Sequence, residues 1–309
     1  MTEEKKIEKL IIIGAGPAGS SAALYGARAE LSPLVITGIQ PGGQASLTNV
    51  IENYPGFPEG VGGADLGNLF QKQAERFGAR YEFDTIVSVD FNQRPFVVKT
   101  YSSTYYAESV IIATGASSVL LNVPGESQLV GSGVSYCATC DGWFFKEKKV
   151  AVVGGGDSAL EEALFLTRYV SEILLIHRRD EFRAGALLQK RVHENPKIKL
   201  VLNSVVKSIN GTEKVNSVTI ENVKTGQQEQ LTVDGIFIFI GHKPNNDLYT
   251  GQLAIDEKGF IVVDKKMQTS IPGVYAAGEA ADSEFKQVIT SAGMGAAAAI
   301  EASRFLADK

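Results

Sequence analysis

A chain of 309 residues, 44% apolar and 21% charged, has the bulk for about two domains and an ordinary globular composition. Its net charge of −5, without a basic cluster, excludes the electrostatic footprint of a nucleic-acid or anionic-membrane binder. The opening MTEEKKIEKL has no apolar h-region and no run of about 20 apolar residues follows, which argues against a signal peptide and a spanning helix and predicts a cytoplasmic location.

The first predicted unit is KLIIIGAGPAGSSAALYGARAELSPLVITG, beginning at Lys9. Its apolar run Leu10–Ile13 reads as a strand covered on both faces, as in a parallel sheet. Gly14-Ala15-Gly16-Pro17-Ala18-Gly19 then turns into an amphipathic helix. In such a turn the first glycine permits the tight bend, the second lets backbone approach a pyrophosphate, and the third packs helix on strand. The acidic residue that would bind a ribose about 20 positions on is missing. The second strand ends at Ile36-Thr37-Gly38, so backbone groups or the loop Pro41-Gly42-Gly43-Gln44 would have to serve.

Residues Thr85–Thr104 alternate apolar and polar, as an antiparallel flap with one wet face does. The strand Val110–Ala113 follows and ends in Thr114-Gly115. Cys137-Ala138-Thr139-Cys140-Asp141 comes next and contains the chain's two cysteines. A disulfide scaffold would use more cysteines, spread along the chain. CxxC spacing lets two sulfurs close a small reducible ring. Zinc would need two further ligands, and only His177, His193 and His242 are available to assist. A pair of inert buried cysteines is the remaining alternative. Asp141, beside a thiol pair that exchanges protons, is a candidate general acid–base.

At Lys149 the first unit repeats without a gap, at an offset of 140, as KVAVVGGGDSALEEALFLTRYVSEILLIHR. Gly154-Gly155-Gly156-Asp157-Ser158-Ala159 is a second dinucleotide loop. His177 stands where Thr37 stands in the first unit, followed by Arg178, Arg179 and Arg183. Arginines at that position accommodate a 2′-phosphate, and the guanidinium fork suits it. The alternative is a solvated basic stretch.

Further on, Thr219–Thr232 reads as a hairpin turning at Lys224-Thr225-Gly226, and Ile236–Ile240 as a strand before Gly241. Short strands at Phe260–Val263 and Val274–Ala277 and a small-residue helix from about Ser291 complete the pattern. The expected fold class is α/β, with two Rossmann-like dinucleotide-binding domains, one inserted into the other. The split domain spans 1–117 and 249–309, and the inserted domain spans 118–248 and carries the CxxC. The crossings are expected near Ala116–Ser118 and His242–Asn246.

GAGPAG, PGGQ, ENYPGFPEG, IIATGA, CATCDG, GGGDSALEEA, HRRDEFRA and AAGEAAD…KQVITSAG occur in the order found in low-molecular-weight thioredoxin reductases, and over roughly residues 8–306 the chain resembles that family. The resemblance implies a homodimer with FAD in the split domain and NADPH in the inserted one. It implies electron flow from NADPH through FAD and the Cys137–Cys140 disulfide to thioredoxin, with a domain rotation between half-reactions. By position Cys140 would face the flavin, Cys137 would attack thioredoxin, and Asp141 would handle protons. FAD contacts carry over to Gly14, Gly16, Pro17, Ala18, Gly38, Gly43, Gln44, Asn53, Gly278, Glu279, Lys286 and Gln287, and NADPH contacts to Gly156, Asp157, Ser158, Arg178, Arg179 and Arg183. Trp143 and Phe144 match an aromatic pair that docks thioredoxin; the alternative is core packing. Three positions depart from the family: Glu279 replaces the usual Asp, Lys286 the usual Arg, and Ser132 an arginine of some members.

Three other readings compete. A relative that serves a peroxidase system usually carries an extra thioredoxin-like extension. Thioredoxin-reductase-like ferredoxin–NADP reductases lack the CxxC. A nucleotide-binding sensor would use the CxxC as an oxidation switch, and would turn nothing over.

Overall fold

The computed structural model describes residues 6–48 and 50–308. The chain divides into two compact units: the described residues up to Ser117 together with those from Lys243 on, and Ser118–His242.

In the first unit the apolar run extends into the strand Ile7–Ile13, whose Leu10, Ile11 and Ile12 are wholly buried. The parallel sheet runs in the order Arg80–Glu82, Leu34–Ile36, Ile7–Ile13, Thr104–Ile112. The long strand Thr104–Ile112 has two lives. Its first half pairs antiparallel with Phe96–Thr100, which pairs antiparallel with Ile86–Asp90 and so forms the expected flap. Its second half pairs in parallel with Val274–Ala276. The helices Pro17–Arg28 and Val288–Ala307 cover one face of this sheet, and they approach closely. A Cβ on Gly295 would stand 1.9 Å from the Ala18 carbonyl oxygen, so only glycine fits there. The other face is closed by Phe91, Phe96, Tyr249, Leu253 and Ile261.

The second unit repeats the plan. Its parallel sheet runs Ile198–Val201, Glu172–Ile176, Lys149–Gly154, Gly235–Phe239, Val134–Ser135. The helices Asp157–Leu166 and Ala186–Glu194 supply the apolar cover on one face. On the other lies a three-stranded antiparallel sheet of Ser204–Gly211, Val215–Asn222 and Gln228–Thr232. The last two strands are the expected hairpin. The first is not legible in the sequence because a register shift between Val206 and Ser208 interrupts its alternation.

One expectation needs correction. Residues Phe260–Val263 form no strand; a single bridge, Ile255 to Ile261, stands there. The second unit ends at His242 and the first resumes at Lys243. Asn246 and Tyr249 follow this crossing. The Asn246 amide donates to the carbonyls of Gly259 and Ala280 at 3.0 and 2.8 Å, and Tyr249 is fully buried beside Phe91. Both belong to the core of the first unit. The crossings themselves run as the short paired strands Ala116–Ser118 and His242–Pro244.

Candidate active site

The first glycine loop is shaped by its contacts. Gly14 has φ +106°, and a Cβ there would stand 2.3 Å from the Ala113 carbonyl oxygen. Gly16 caps the helix Pro17–Arg28 without any side-chain acceptor, so the first-turn amides, including that of Ala18, stay available to an anion. The loop Pro41–Gln44 folds against this turn: Gly42 N donates to Ala15 O at 3.1 Å. A Cβ on Gly43 would lie 3.0 Å from Gly16 Cα. Gly278 joins the same place, since its Cβ would meet that of Ala18 at 2.9 Å. At Gly38 the corresponding space is open. Asn53 Nδ2 donates to Gln287 Oε1 at 3.1 Å, and Gln287 caps the helix Val288–Ala307 with Thr290. Gln44 is exposed nearby in chain. Gly16, Ala18, Gly43 and Gly278 thus line a crevice of bare backbone at the uncapped helix start, whose chemistry fits a pyrophosphate.

Glu279 is half-buried and comes directly after Gly278. Burial pushes its carboxyl up to about 7; the Lys286 charge opposes the shift and Asp282 adds to it. Asp282 is a site residue that sequence reasoning does not single out. It is buried, and accepts from the backbone N–H groups of Glu284, Phe285 and Lys286 at 2.8, 2.9 and 3.0 Å. That fan of bonds fixes the turn carrying Lys286, whose φ is +54°. An aspartate leading directly into a polar turn is the available signal.

In the second unit Gly156 caps the helix Asp157–Leu166, again with no side-chain acceptor and with open space where a Cβ would stand. The arginine segment folds back onto this loop. Arg183 N donates to Gly155 O at 2.8 Å, and Gly185 N to Asp157 Oδ1 at 2.8 Å. Between them His177 is buried against Gly155, where a Cβ would strike its ring at 2.2 Å. Burial lowers the His177 pKa, and the nearby charges of Arg178 and Arg179 push the same way. Arg178, Arg179 and Arg183 are exposed, with Ser158 exposed in the first turn of the helix. The donor set, three exposed arginines on a segment hydrogen-bonded to an uncapped glycine loop, fits a dinucleotide bearing a 2′-phosphate.

Cys137 and Cys140 are joined in a disulfide. Cys137 ends the stretch after the strand Val134–Ser135 and caps the short helix Ala138–Asp141, and Cys140 N–H points to Cys137 Sγ at 3.2 Å. Ala138 is buried in the core, and a Cβ on Gly142 would stand 2.9 Å from Leu166, so the helix is pressed onto Asp157–Leu166. Burial raises the Asp141 pKa above the ordinary carboxylate value, opposed by the hydroxyl of Ser135, which donates to Oδ2 at 2.6 Å. Trp143 and Phe144 are 52% and 40% exposed, against core packing as their whole role. Tyr169 meets Trp143 edge-on at 5.8 Å and Lys146 lies over its ring at 5.3 Å. Ser132 is half-buried, and its backbone bonds to Leu129 and Val215. Among the described residues no group of His, Cys, Asp and Glu could hold a metal.

A redox disulfide beside a dinucleotide fold, with a second such fold in the other unit, has a counterpart among known proteins. Residues 8–295 match the model of the pyridine nucleotide-disulphide oxidoreductase family. The chain belongs to this family. The thioredoxin reductase of Rickettsia bellii (strain RML369-C) is 49% identical over 303 residues, covering 96% of this chain and 98% of that protein. The thioredoxin reductase of Mycolicibacterium smegmatis is 44% identical over 310 residues, 100% of each. The crystal structure of thioredoxin reductase from Streptococcus pyogenes MGAS5005 matches with a TM-score of 0.95 at 40% identity, over 99% of this chain and 100% of that one. The chain is an NADPH-dependent flavoprotein disulfide oxidoreductase of the thioredoxin reductase type, with FAD and NADPH as its cofactors.

Proposed function

We propose that this chain, as a homodimer, reduces the disulfide of thioredoxin or a thioredoxin-like small dithiol protein through Cys137 and Cys140. The observation that carries the reading is the half-exposed Cys137–Cys140 disulfide built into the unit that holds the second glycine loop. Bound FAD and NADPH supply the hydride chemistry; the protein supplies binding, orientation and electrostatics.

Gly14, Gly16, Pro17, Ala18, Gly38, Gly43, Gln44, Asn53, Gly278, Glu279, Lys286 and Gln287 form the FAD cradle of the first unit. Gly156, Asp157 and Ser158 hold the NADPH pyrophosphate, and Arg178, Arg179 and Arg183 its 2′-phosphate. Cys137 is the attacking sulfur. As a thiolate it breaks the partner's S–S bond and forms a mixed disulfide, and one partner sulfur leaves and takes a proton. Asp141 supplies that proton and then takes one from the Cys140 thiol. The Cys140 thiolate attacks Cys137 in the mixed disulfide, which frees the second partner sulfur and closes Cys137–Cys140 again. Trp143 and Phe144 receive the partner.

The dithiol and the second glycine loop share one unit and the first glycine loop lies in the other. Nicotinamide and dithiol must both reach one flavin, and the partner must reach Cys137. Turning the unit Ser118–His242 about its two crossings meets these demands in sequence, on the microsecond-to-millisecond scale typical of hinges. The protein works in the cytoplasm, where the thiol pools stay reduced.

The order of the two sulfurs is tested by trapping. Cys140→Ser leaves Cys137 as the free thiol and is expected to accumulate a stable mixed disulfide with thioredoxin, resolved by mass spectrometry. Accumulation in Cys137→Ser instead would reverse the assignment.

A further inference from the structure

We propose that Ser135 is a positioning residue for the proton chemistry of the dithiol: its hydroxyl ties the Cys137 backbone to the Asp141 carboxyl and sets how readily that carboxyl releases a proton. The proposal rests on the reading of Asp141 as the proton carrier.

Ser135 is 4% exposed and ends a strand whose partner is Phe237 in Gly235–Phe239. The parallel sheet fixes its Cα, independently of the short helix that carries Cys140 and Asp141. Its oxygen accepts from Cys137 N–H at 3.1 Å. Its single proton has two acceptors in reach, Asp141 Oδ2 at 2.6 Å and the Cys137 carbonyl at 3.2 Å. The nearer is a carboxylate, and hydrogen bonds to a charged oxygen are shorter and stronger, so the proton goes to Asp141. The hydroxyl therefore belongs to the CxxC helix at both ends: the amide of the first cysteine and the carboxyl next to the second.

Burial favours the neutral carboxyl and the Ser135 donor favours the charged one. Among the described residues no ion pair reaches Asp141 from the strand, from its own helix or from the helix Asp157–Leu166 behind Gly142. The titratable groups of its own helix are the thiols of the reduced pair; Tyr136, on the other side of Ser135 in the chain, gives its hydroxyl to Glu126 at 2.9 Å. A carboxyl shifted by burial alone would keep its proton. One pulled back by a donor can give the proton to the departing partner sulfur and recover it from Cys140, once per exchange, with no net change.

The test is the pH profile of kcat for thioredoxin reduction at saturating NADPH, in the FAD-loaded enzyme. Asp141→Asn identifies the alkaline limb that belongs to Asp141 by removing it. Ser135→Ala is expected to lower kcat about tenfold and move that limb up by about one pH unit, with KM for NADPH unchanged. Ser135→Thr, which keeps the hydroxyl, should restore the wild-type limb, and Ser135→Gly removes it if the alanine variant fails to load FAD. In an Asp141→Asn background, Ser135→Ala should change kcat less than about twofold, because the two act as one unit. An unmoved limb in Ser135→Ala, or the same tenfold loss in the Asp141→Asn background, overturns the proposal and marks Ser135 as a plain structural clamp. A wild-type kcat and limb in Asp141→Asn overturns the reading of Asp141 itself, and Ser135 with it.

Discussion

The two glycine loops are built to one plan and end differently. In both, a buried strand turns through a positive-φ glycine, at Gly14 and Gly154, into a helix capped by glycine without a side-chain acceptor. The segments just beyond the second strand of each unit separate them. After Leu34–Ile36 the chain presents Thr37 and Gly38 and packs the Pro41–Gln44 loop onto the turn, so that Gly43 touches Gly16. After Glu172–Ile176 it presents His177 and three arginines, drawn in by Arg183 and by Asp157. One loop is walled by backbone and the other by charge. In the proposed reading the shared part binds a dinucleotide, and the part that differs decides which one.

The largest predicted effect sets a crowded glycine of the first loop against an open one of the second. Gly14→Val must seat a side chain at φ +106° and 2.3 Å from a carbonyl oxygen, and should yield protein without flavin absorbance. Gly156→Val enters open space, and should load FAD normally while weakening NADPH by about 100-fold, on the scale of a lost pyrophosphate approach. Normal NADPH binding in Gly156→Val would remove the parallel between the loops.

Charge is the next contrast. A hydrogen bond to a charged group is worth about 1.5–3 kcal/mol, so Arg178→Ala with Arg179→Ala should lower kcat/KM for NADPH by about 100-fold. The value for NADH should barely change. Equal losses for both would return the arginines to a solvated surface.

The smallest effect concerns Glu279, which follows Gly278 in the first unit. Its folded pKa of about 7 lies above the ordinary 4.5, so the folded chain holds the proton more tightly than the unfolded one. The stabilisation is full below 4.5 and is lost as the pH rises through about 7. In the chain freed of FAD, Tm should fall by roughly 3–6 °C between pH 5 and 8, and Glu279→Gln should flatten the slope. An identical slope in the variant would place the titration elsewhere.

Much of this is legible in the sequence because it is periodic or covalently local. The offset repeat announces two βαβ units, and the arginines after Ile176 announce a phosphate site at a place where topology brings ligands. The CxxC announces redox chemistry by its spacing. The hidden features depend on contacts between distant segments. Nothing in the sequence around Asn246 says that its amide will cross to Gly259 and Ala280. Ser135 looks like any strand serine until the fold sets it beside Asp141, six positions on. The strand Ser204–Gly211 is masked by a bulge, and the run Phe260–Val263 is apolar because Ile261 fills a core, not because it pairs along its length.

The central claim is that the Cys137–Cys140 disulfide is an electron store in series with the flavin. An anaerobic titration of the FAD-loaded protein with dithionite, followed by flavin absorbance and thiol counting, tests it most directly. Breaking an S–S bond consumes two electrons. The wild-type chain should therefore take up one two-electron equivalent per flavin more than Cys137→Ser or Cys140→Ser and gain two titratable thiols, while the variants bleach with the flavin alone. Equal uptake in wild type and variants, with the disulfide intact after the flavin is fully reduced, would contradict the account.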